Sequence, residues 1–323
     1  MKTIYLVAPS FGCTTYPYDE KLKLAIKNLK KLGFNLILGD NIFKSEGLAS
    51  SNTSELRGKE INDAFRSNAD YVLSVGGGET MITSLPYIDF NLIKNNPKTF
   101  IGFSDNTNLT YPITTMFNIK SLYAVNATAF FKLPLEVDAK DTLDLLNGKK
   151  IFESYPMYQK EAINPMDGYN LDSKTNMKVF NYNSPFKGIL LGGCLDCLIG
   201  LLGSKYDNTI NFIEHNKDLG IIFYIEACDL SSVGVIRALQ SLENAGWFNN
   251  YINGFIIGRS FNINDESFGI NMETSYLSIL KKYNKPIIFN TSLGHLGPSL
   301  PMLNGAYAKV SYSDNKMKIE YLE

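Results

Sequence analysis

Short apolar runs alternate with amphipathic ones along the first third of this chain, and that rhythm fixes the fold class. Residues 3–8, 34–38, 71–75 and 99–103 read as strands, with a shorter one over 122–125. Helical periodicity fills the gaps at 19–32, 55–66 and 107–117. The first of these helices puts Leu22, Ala25, Ile26, Leu29 and Leu32 on one face with lysines opposite, and Gly33 ends it. Strands linked through helices imply a parallel sheet covered on both faces. The rhythm breaks over 136–185, where Pro156, Pro165, Pro185 and many Asn, Asp and Lys residues predict a linker and an irregular excursion. Alternation resumes with strands at 188–191, 219–225, 254–257 and 286–289 and helices at 195–202, 231–245 and 271–283. Residues 306–312 and 316–321 form a hairpin turned at Ser313-Asp314-Asn315. The expected architecture is α/β throughout. A parallel-sheet domain spans 1–135, the linker and excursion span 136–185, and a second α/β domain with a terminal β-hairpin spans 186–323. A cleft lies between the two domains.

Composition narrows the function classes. The 323 residues are 45% hydrophobic and 20% charged, enough for a large core and unlike a disordered chain. Net charge is −1, with no Lys/Arg block of the kind that tracks a phosphate backbone, so nucleic acid is excluded as a partner. No apolar run approaches the ~18–20 residues that span a bilayer. The apolar run at 4–8 is a first strand, too short for a signal-peptide core. A cytoplasmic protein with no membrane partner is expected. Cys13, Cys194, Cys197 and Cys228 are too few for a disulfide framework. Cys194-Leu195-Asp196-Cys197 matches C-x-x-C, but no second pair and no nearby histidine completes a metal site. Small buried residues opening a helix account for it better than thiol redox chemistry, which stays as one class to test.

Four local features carry chemistry. In Phe100-Ile101-Gly102-Phe103-Ser104-Asp105-Asn106-Thr107 an apolar strand stops at a glycine and a serine follows at once. That places Ser104 beside backbone N–H groups lacking an intrahelical acceptor, the setting of nucleophilic serines in α/β enzymes. Helix capping by Ser104 is the plainer reading. Only two histidines exist. His215 lies in a polar surface segment, whereas His295 lies between Gly294 and Leu296-Gly297, directly after a strand. Glu226 ends the apolar run Ile221-Ile222-Phe223-Tyr224-Ile225 and can orient an imidazole, with Asp229 as the rival acid and the better helix N-cap. Finally, Gly76-Gly77-Gly78-Glu79-Thr80 follows a strand and exposes backbone donors. A phosphate loop fails the G-x-G-x-x-G pattern because Met81 stands in the last place. An oxyanion hole from Gly77 or Gly78 with Asp105, or a plain tight turn, remains.

The same residues resemble the LD-carboxypeptidase family of serine peptidases, which includes the microcin C immunity proteins. Gly102-Phe103-Ser104-Asp105-Asn106-Thr107 resembles its G-[YF]-S-D-x-T signature. The segment Leu85-Pro86-Tyr87-Ile88-Asp89 after the glycines, Gly192-Gly193-Cys194-Leu195, Ile225-Glu226 and Gly294-His295 with Pro298 are similar to its further motifs and stand in its order. The resemblance implies a Ser104-His295-Glu226 triad, an oxyanion hole of backbone N–H groups near Gly78 and Asp105, no cofactor, and a homodimer. Cys194 replaces the asparagine usual in many members, and Leu296 a more familiar polar residue.

Hydrolysis of an amide next to a carboxylate-bearing residue is the activity these readings imply. The resemblance implies one of two substrates, a murein tetrapeptide losing its terminal D-alanine, or a peptidyl- or aminoacyl-nucleotide of the microcin C type. The segment 100–123 and the polar insertion at 164–183 read closer to the immunity branch. Glu79, Arg237, Arg259 and Trp247 are the candidate substrate contacts, the arginines for a free carboxylate and the tryptophan for a base. A non-catalytic two-domain small-molecule binding protein is the alternative, since two such domains around a cleft also describe small-molecule binders.

Overall fold

The structure is a computed structural model and describes residues 1–322. Two sheets organise it. The first has six strands in the order Met302–Asn304, Ser121–Tyr123, Thr99–Gly102, Tyr71–Ser74, Thr3–Val7, Asn35–Leu38. All neighbours are parallel except the outermost pair, Met302–Asn304 against Ser121–Tyr123. The second has eight, in the order Ile151–Glu153, Lys316–Tyr321, Tyr307–Ser313, Phe186–Cys194, Ile221–Glu226, Ile252–Gly258, Ile287–Thr291, Lys178–Phe180. Its four central strands, from Phe186–Cys194 to Ile287–Thr291, are mutually parallel.

Local chemistry explains the elements. The helix Tyr18–Lys31 buries Leu22, Ala25 and Leu29 and carries acids in its first turn and lysines in its last, which suits the helix dipole. Thr53 caps Ser54–Arg66 by accepting from Leu56 N–H. Ile221–Glu226 is buried at every position, as expected of a strand covered on both faces. Asp314 and Asn315 both take positive φ, the geometry of a two-residue hairpin turn.

Thr107–Phe117 is a wedge between the two sheets, and its first nine residues are all buried. The largest apolar cluster joins both halves, running from Val7 and Phe100 through Leu109 and Ile113 to Leu191, Phe223, Ile225 and Trp247.

The excursion is more ordered than its composition predicts. It contains the helix Val137–Leu146, and two of its strands, Ile151–Glu153 and Lys178–Phe180, form the edges of the second sheet. Met302–Asn304 crosses in the other direction and completes the edge of the first. The expected boundary at 186 therefore separates the sequence more cleanly than it separates the fold. Among the described residues, no helix is long and apolar enough to cross a membrane.

Candidate active site

The C-terminal ends of the central strands of both sheets meet at one cleft, where open α/β sheets place ligands. Ser104 follows Thr99–Gly102, Glu226 is the last residue of Ile221–Glu226, and the loop after Ile287–Thr291 carries His295. The structure brings these three together. Ser104 Oγ lies 2.9 Å from His295 Nε2, and His295 Nδ1 lies 2.9 Å from Glu226 Oε2. Ser104 does not cap its helix; it holds φ +63°, a left-handed conformation costly for a residue with a Cβ. Glu226 is completely buried, and its other oxygen accepts from Tyr123 Oη at 2.5 Å. Burial, the largest single influence, disfavours the imidazolium of His295, but the charge and hydrogen bond of Glu226 together with contact from Cys228 outweigh it and hold the ring's pKa well above the ordinary value.

Asp105 fixes the nucleophile turn from below. Its buried carboxylate accepts from Ser10 Oγ at 2.5 Å, from Met81 N–H at 2.8 Å and from Asn108 Nδ2 at 2.8 Å. Burial raises its pKa against those donors. The glycine loop is thereby tied to the serine turn. A Cβ on Gly77 would come within 3.1 Å of Ser104 Cβ, and one on Gly78, at φ +142°, within 2.2 Å of Ser10 Oγ. Glycine is what lets this backbone approach. The Asp105 N–H sits in the first helical turn, where no intrahelical acceptor exists. Gly78 and Asp105 both line the cavity beside Ser104.

The expected substrate contacts divide. Glu79 and Asp229 line this cavity with Ser104, Asp105, Asn108 and Cys197. Trp247 does not: it is fully buried, stacked on Tyr111 at 5.2 Å in the core, so the expected base-stacking role is corrected. Arg259 is equally buried. Its guanidinium lies 3.7 Å over the Tyr158 ring and donates to Leu296 O at 3.0 Å and to Thr175 Oγ1 at 2.9 Å. It braces the histidine loop instead of meeting a carboxylate, and burial lowers its pKa to about 10. Arg237 is exposed on the helix Ser232–Asn244 and is not among the cavity-lining residues. Asp229 does not cap that helix either; Ser231 does, accepting from Gly234 N–H.

The C-x-x-C thiols also belong here. Cys194 and Cys197 are free and open the helix Leu195–Leu201 against the back of the serine turn, with Cys197 Sγ 3.7 Å from Ser104 O. Contact with Cys197, and then burial, hold the Cys194 thiol well above its ordinary range, the opposite of an activated thiolate. The third member of the run, Asp196, accepts from the N–H groups of Cys228, Asp229 and Leu230 and so shapes the loop after Glu226.

Two residues of consequence escape the sequence reading. Tyr123 closes a strand as one tyrosine among nineteen, yet its hydroxyl donates to Glu226 and accepts the Ser104 N–H at 3.3 Å. Asn108 sits one helical turn past Asp105 and is pinned to it through Nδ2. Its position three residues after an acid at a helix start was the available signal.

Comparison with known proteins agrees with this architecture. The model of the LD-carboxypeptidase N-terminal domain matches residues 4–124, and that of the LD-carboxypeptidase C-terminal domain matches 187–310. A Vibrio cholerae protein assumed to be a carboxypeptidase is 26% identical, over 97% of this chain and 93% of its own length. The microcin C7 self-immunity protein MccF of Escherichia coli is 22% identical, over 91% of this chain and 86% of its own. Among solved structures, MccF in complex with aspartyl sulfamoyl adenosine superposes with a TM-score of 0.83 at 21% identity, covering 100% of this chain and 96% of that one. A muramoyltetrapeptide carboxypeptidase from Oxalobacter formigenes gives 0.74 at 18% identity, covering 100% and 99%. Two family models in tandem, in the right order and together spanning most of the sequence, make this chain a member of the LD-carboxypeptidase family.

Proposed function

We propose that the protein is a serine-type amide hydrolase in which Ser104 is the nucleophile, His295 the general base and then acid, and Glu226 the acid that orients the ring. One observation carries this reading: two 2.9 Å hydrogen bonds run in sequence from Ser104 Oγ through His295 to Glu226. In the reaction, Oγ attacks the carbonyl carbon as its proton passes to Nε2. Glu226 balances the imidazolium. The oxyanion meets backbone N–H groups of the glycine loop at Gly77 or Gly78 and of Asp105, where one donor is typically worth about 10²–10³ in rate. Nε2 then protonates the leaving nitrogen, the C–N bond breaks, and water releases the acyl group by the same relay in reverse. Amide and water become acid and amine.

The substrate we favour is a small peptide cleaved in the carboxypeptidase manner, such as an L,D-peptide of the murein type. Among the described residues, none of those lining the cavity beside Ser104 carries an aromatic ring, which suits a peptide better than a stacked base. An aminoacyl-nucleotide is the second reading, motivated by the higher TM-score against MccF with its bound aspartyl sulfamoyl adenosine. The test joins a fluorophosphonate probe to two turnover assays. Ser104 should be labelled, and either D-alanine or a cleaved aminoacyl-sulfamoyl adenosine should appear. Ser104→Ala and His295→Ala should each cost roughly 10⁴-fold or more. No label and no turnover of either substrate would end the reading.

A further inference from the structure

One buried cation stands outside the relay. Arg57 lies on the inner face of the helix Ser54–Arg66 at 2% exposure, where such a side chain survives only if it is paired or fully hydrogen-bonded. Its N–H donors all find neutral oxygens. Nε donates to Asn52 O at 3.0 Å, and Nη1 to Pro9 O at 2.8 Å and Thr80 O at 3.1 Å. Nη2 donates to Ser54 Oγ at 3.1 Å and Thr83 Oγ1 at 2.8 Å. Two of these acceptors adjoin the groups that hold Asp105. Pro9 precedes Ser10, whose hydroxyl donates to Asp105 Oδ2. The Thr80 carbonyl belongs to the same planar peptide group as the Met81 N–H, which donates to that same oxygen. A single amide therefore bridges guanidinium and carboxylate, its C=O toward the cation and its N–H toward the anion, and both charges favour that orientation. Burial lowers the pKa of Arg57 and the Asp105 charge opposes it; burial raises that of Asp105, with Arg57 among the groups opposing.

We infer that Arg57 is a positioning residue for the oxyanion hole, holding the glycine loop at a fixed separation from the Asp105 turn through the peptide group that joins Thr80 to Met81. The catalytic consequence rests on the hydrolase reading; the clamp on the loop does not. Thr80 ends the glycine loop, and the loop is tied again where Phe11 N–H donates to Gly77 O at 3.0 Å. If the amide between residues 80 and 81 rotates, the loop shifts against the serine turn, and donors from the two sides no longer converge on one oxygen. Arg57 does this from behind, since it is not among the residues lining the cavity beside Ser104. A lysine keeps the charge, but its single nitrogen cannot reach carbonyls on three separate segments and two hydroxyls at once.

Arg57→Met and Arg57→Lys are compared with wild type by two readouts. The first needs no turnover. In Arg57→Met, backbone amides of 76–81 and 104–106 should exchange hydrogen about tenfold or more faster, while those of Ile221–Glu226 stay within about twofold of wild type. The second uses whichever substrate the wild type cleaves, a D-alanyl peptide or an aminoacyl-sulfamoyl adenosine. Here kcat should fall about 100-fold in Arg57→Met with KM within about twofold, because displaced oxyanion donors act on the transition state and not on the bound ground state. Arg57→Lys should regain roughly tenfold of that loss. Exchange that rises equally in Ile221–Glu226 overturns the inference, as does an unchanged kcat or a raised KM at constant kcat. Should Arg57→Met not fold, Thr83→Val replaces it. That change strips an acceptor from Nη2 and a hydroxyl from Thr80 O. It should show the same loop-confined exchange and a kcat lowered several-fold, and wild-type values for both would overturn the inference. Probe labelling and turnover by wild type report the hydrolase reading separately. Loop-confined exchange in a protein that cleaves neither substrate keeps the clamp and removes that reading, and turnover indifferent to Arg57 does the reverse.

Discussion

At the scale of single residues, the relay is held by interactions that oppose folding as much as they serve it. Ser104 sits in the left-handed region, where a side chain costs about 1–2 kcal/mol. Glycine would remove that strain but add unfolded-state entropy. Ser104→Gly should therefore be inactive yet more stable than Ser104→Ala, by about 1 kcal/mol or less in urea unfolding. Equal stabilities would mean the turn is unstrained. His295 makes a prediction with a sign. Its folded pKa is raised above the unfolded value of 6.5, so it contributes stability fully below that pH and loses it as pH rises through the folded value. The stability gap between wild type and His295→Gln should be widest on the acid side and should close in alkali. Activity runs the other way, because only the neutral ring accepts a proton, so kcat/KM should rise with pH through a pKa above 6.5. A gap that grows with pH would contradict the Glu226 contact as its cause. Tyr123→Phe strips a donor from a fully buried carboxylate. It should cost about 1–3 kcal/mol of stability and lower activity in a protein that still folds, checked by paired unfolding and turnover assays.

At the scale of elements, the base rides on a loop, and the loop is positioned by Arg259 of its own domain and by the excursion at 136–185. Arg259 grips Leu296 O, Gln159 N–H donates to Gly297 O at 2.8 Å, and the Ser292 hydroxyl bonds both N–H and C=O of Tyr155. Arg259 touches neither serine nor imidazole, so it is a positioning residue. Arg259→Met should lower kcat and probe labelling together, by about 10–100-fold, because a base misplaced by roughly 1 Å loses that much. KM should change little, and Arg259→Lys should restore part of the rate. A rise in KM at constant kcat would make Arg259 a substrate contact after all. These braces explain what was legible in the sequence and what was not. Helix periodicity at 19–32 and 107–117 and the apolar strands were readable because apolar spacing encodes them directly. Their observed bounds, Tyr18–Lys31 and Thr107–Phe117, lie within a residue of that reading. Ser104, Glu226 and His295 were readable because strand ends and scarce residue types mark them. The helix Val137–Leu146 was not, since it turns Asp138 and Asp141 inward to tertiary hydrogen bonds with Tyr169 and Tyr155, which interrupts an apolar stripe. The misplaced roles of Trp247 and Arg259 have the same origin. An aromatic ring or a cation has a chemistry in the sequence, but its burial is decided by partners far along the chain, such as Tyr111 and Thr175.

At the scale of the whole molecule, the two lobes are one folding unit because each completes the other. Met302–Asn304 leaves the second half to close the first sheet beside Ser121–Tyr123. Its last residue, Asn304, is fully buried and is the rivet between sheets. Its Oδ1 accepts from Gly192 N–H at 2.9 Å and Tyr224 Oη at 2.8 Å, and its Nδ2 reaches Ser121 Oγ at 3.4 Å. The largest apolar cluster crosses the same boundary. A cleft between independently stable domains would unfold in two steps and could open like a hinge. This one should do neither. Calorimetric and van't Hoff enthalpies should agree for a single transition, as for a cooperative domain. Asn304→Ala orphans buried partners on both sides and should destabilise by about 2–3 kcal/mol. Hydrogen exchange should then rise by a similar factor in Thr99–Gly102, which leads to the nucleophile, and in Ile221–Glu226, which carries the acid. Faster exchange confined to one strand would mean that the lobes open separately. The relay would then depend on a hinge motion to bring Ser104 to His295, instead of on a shared core that keeps them 2.9 Å apart.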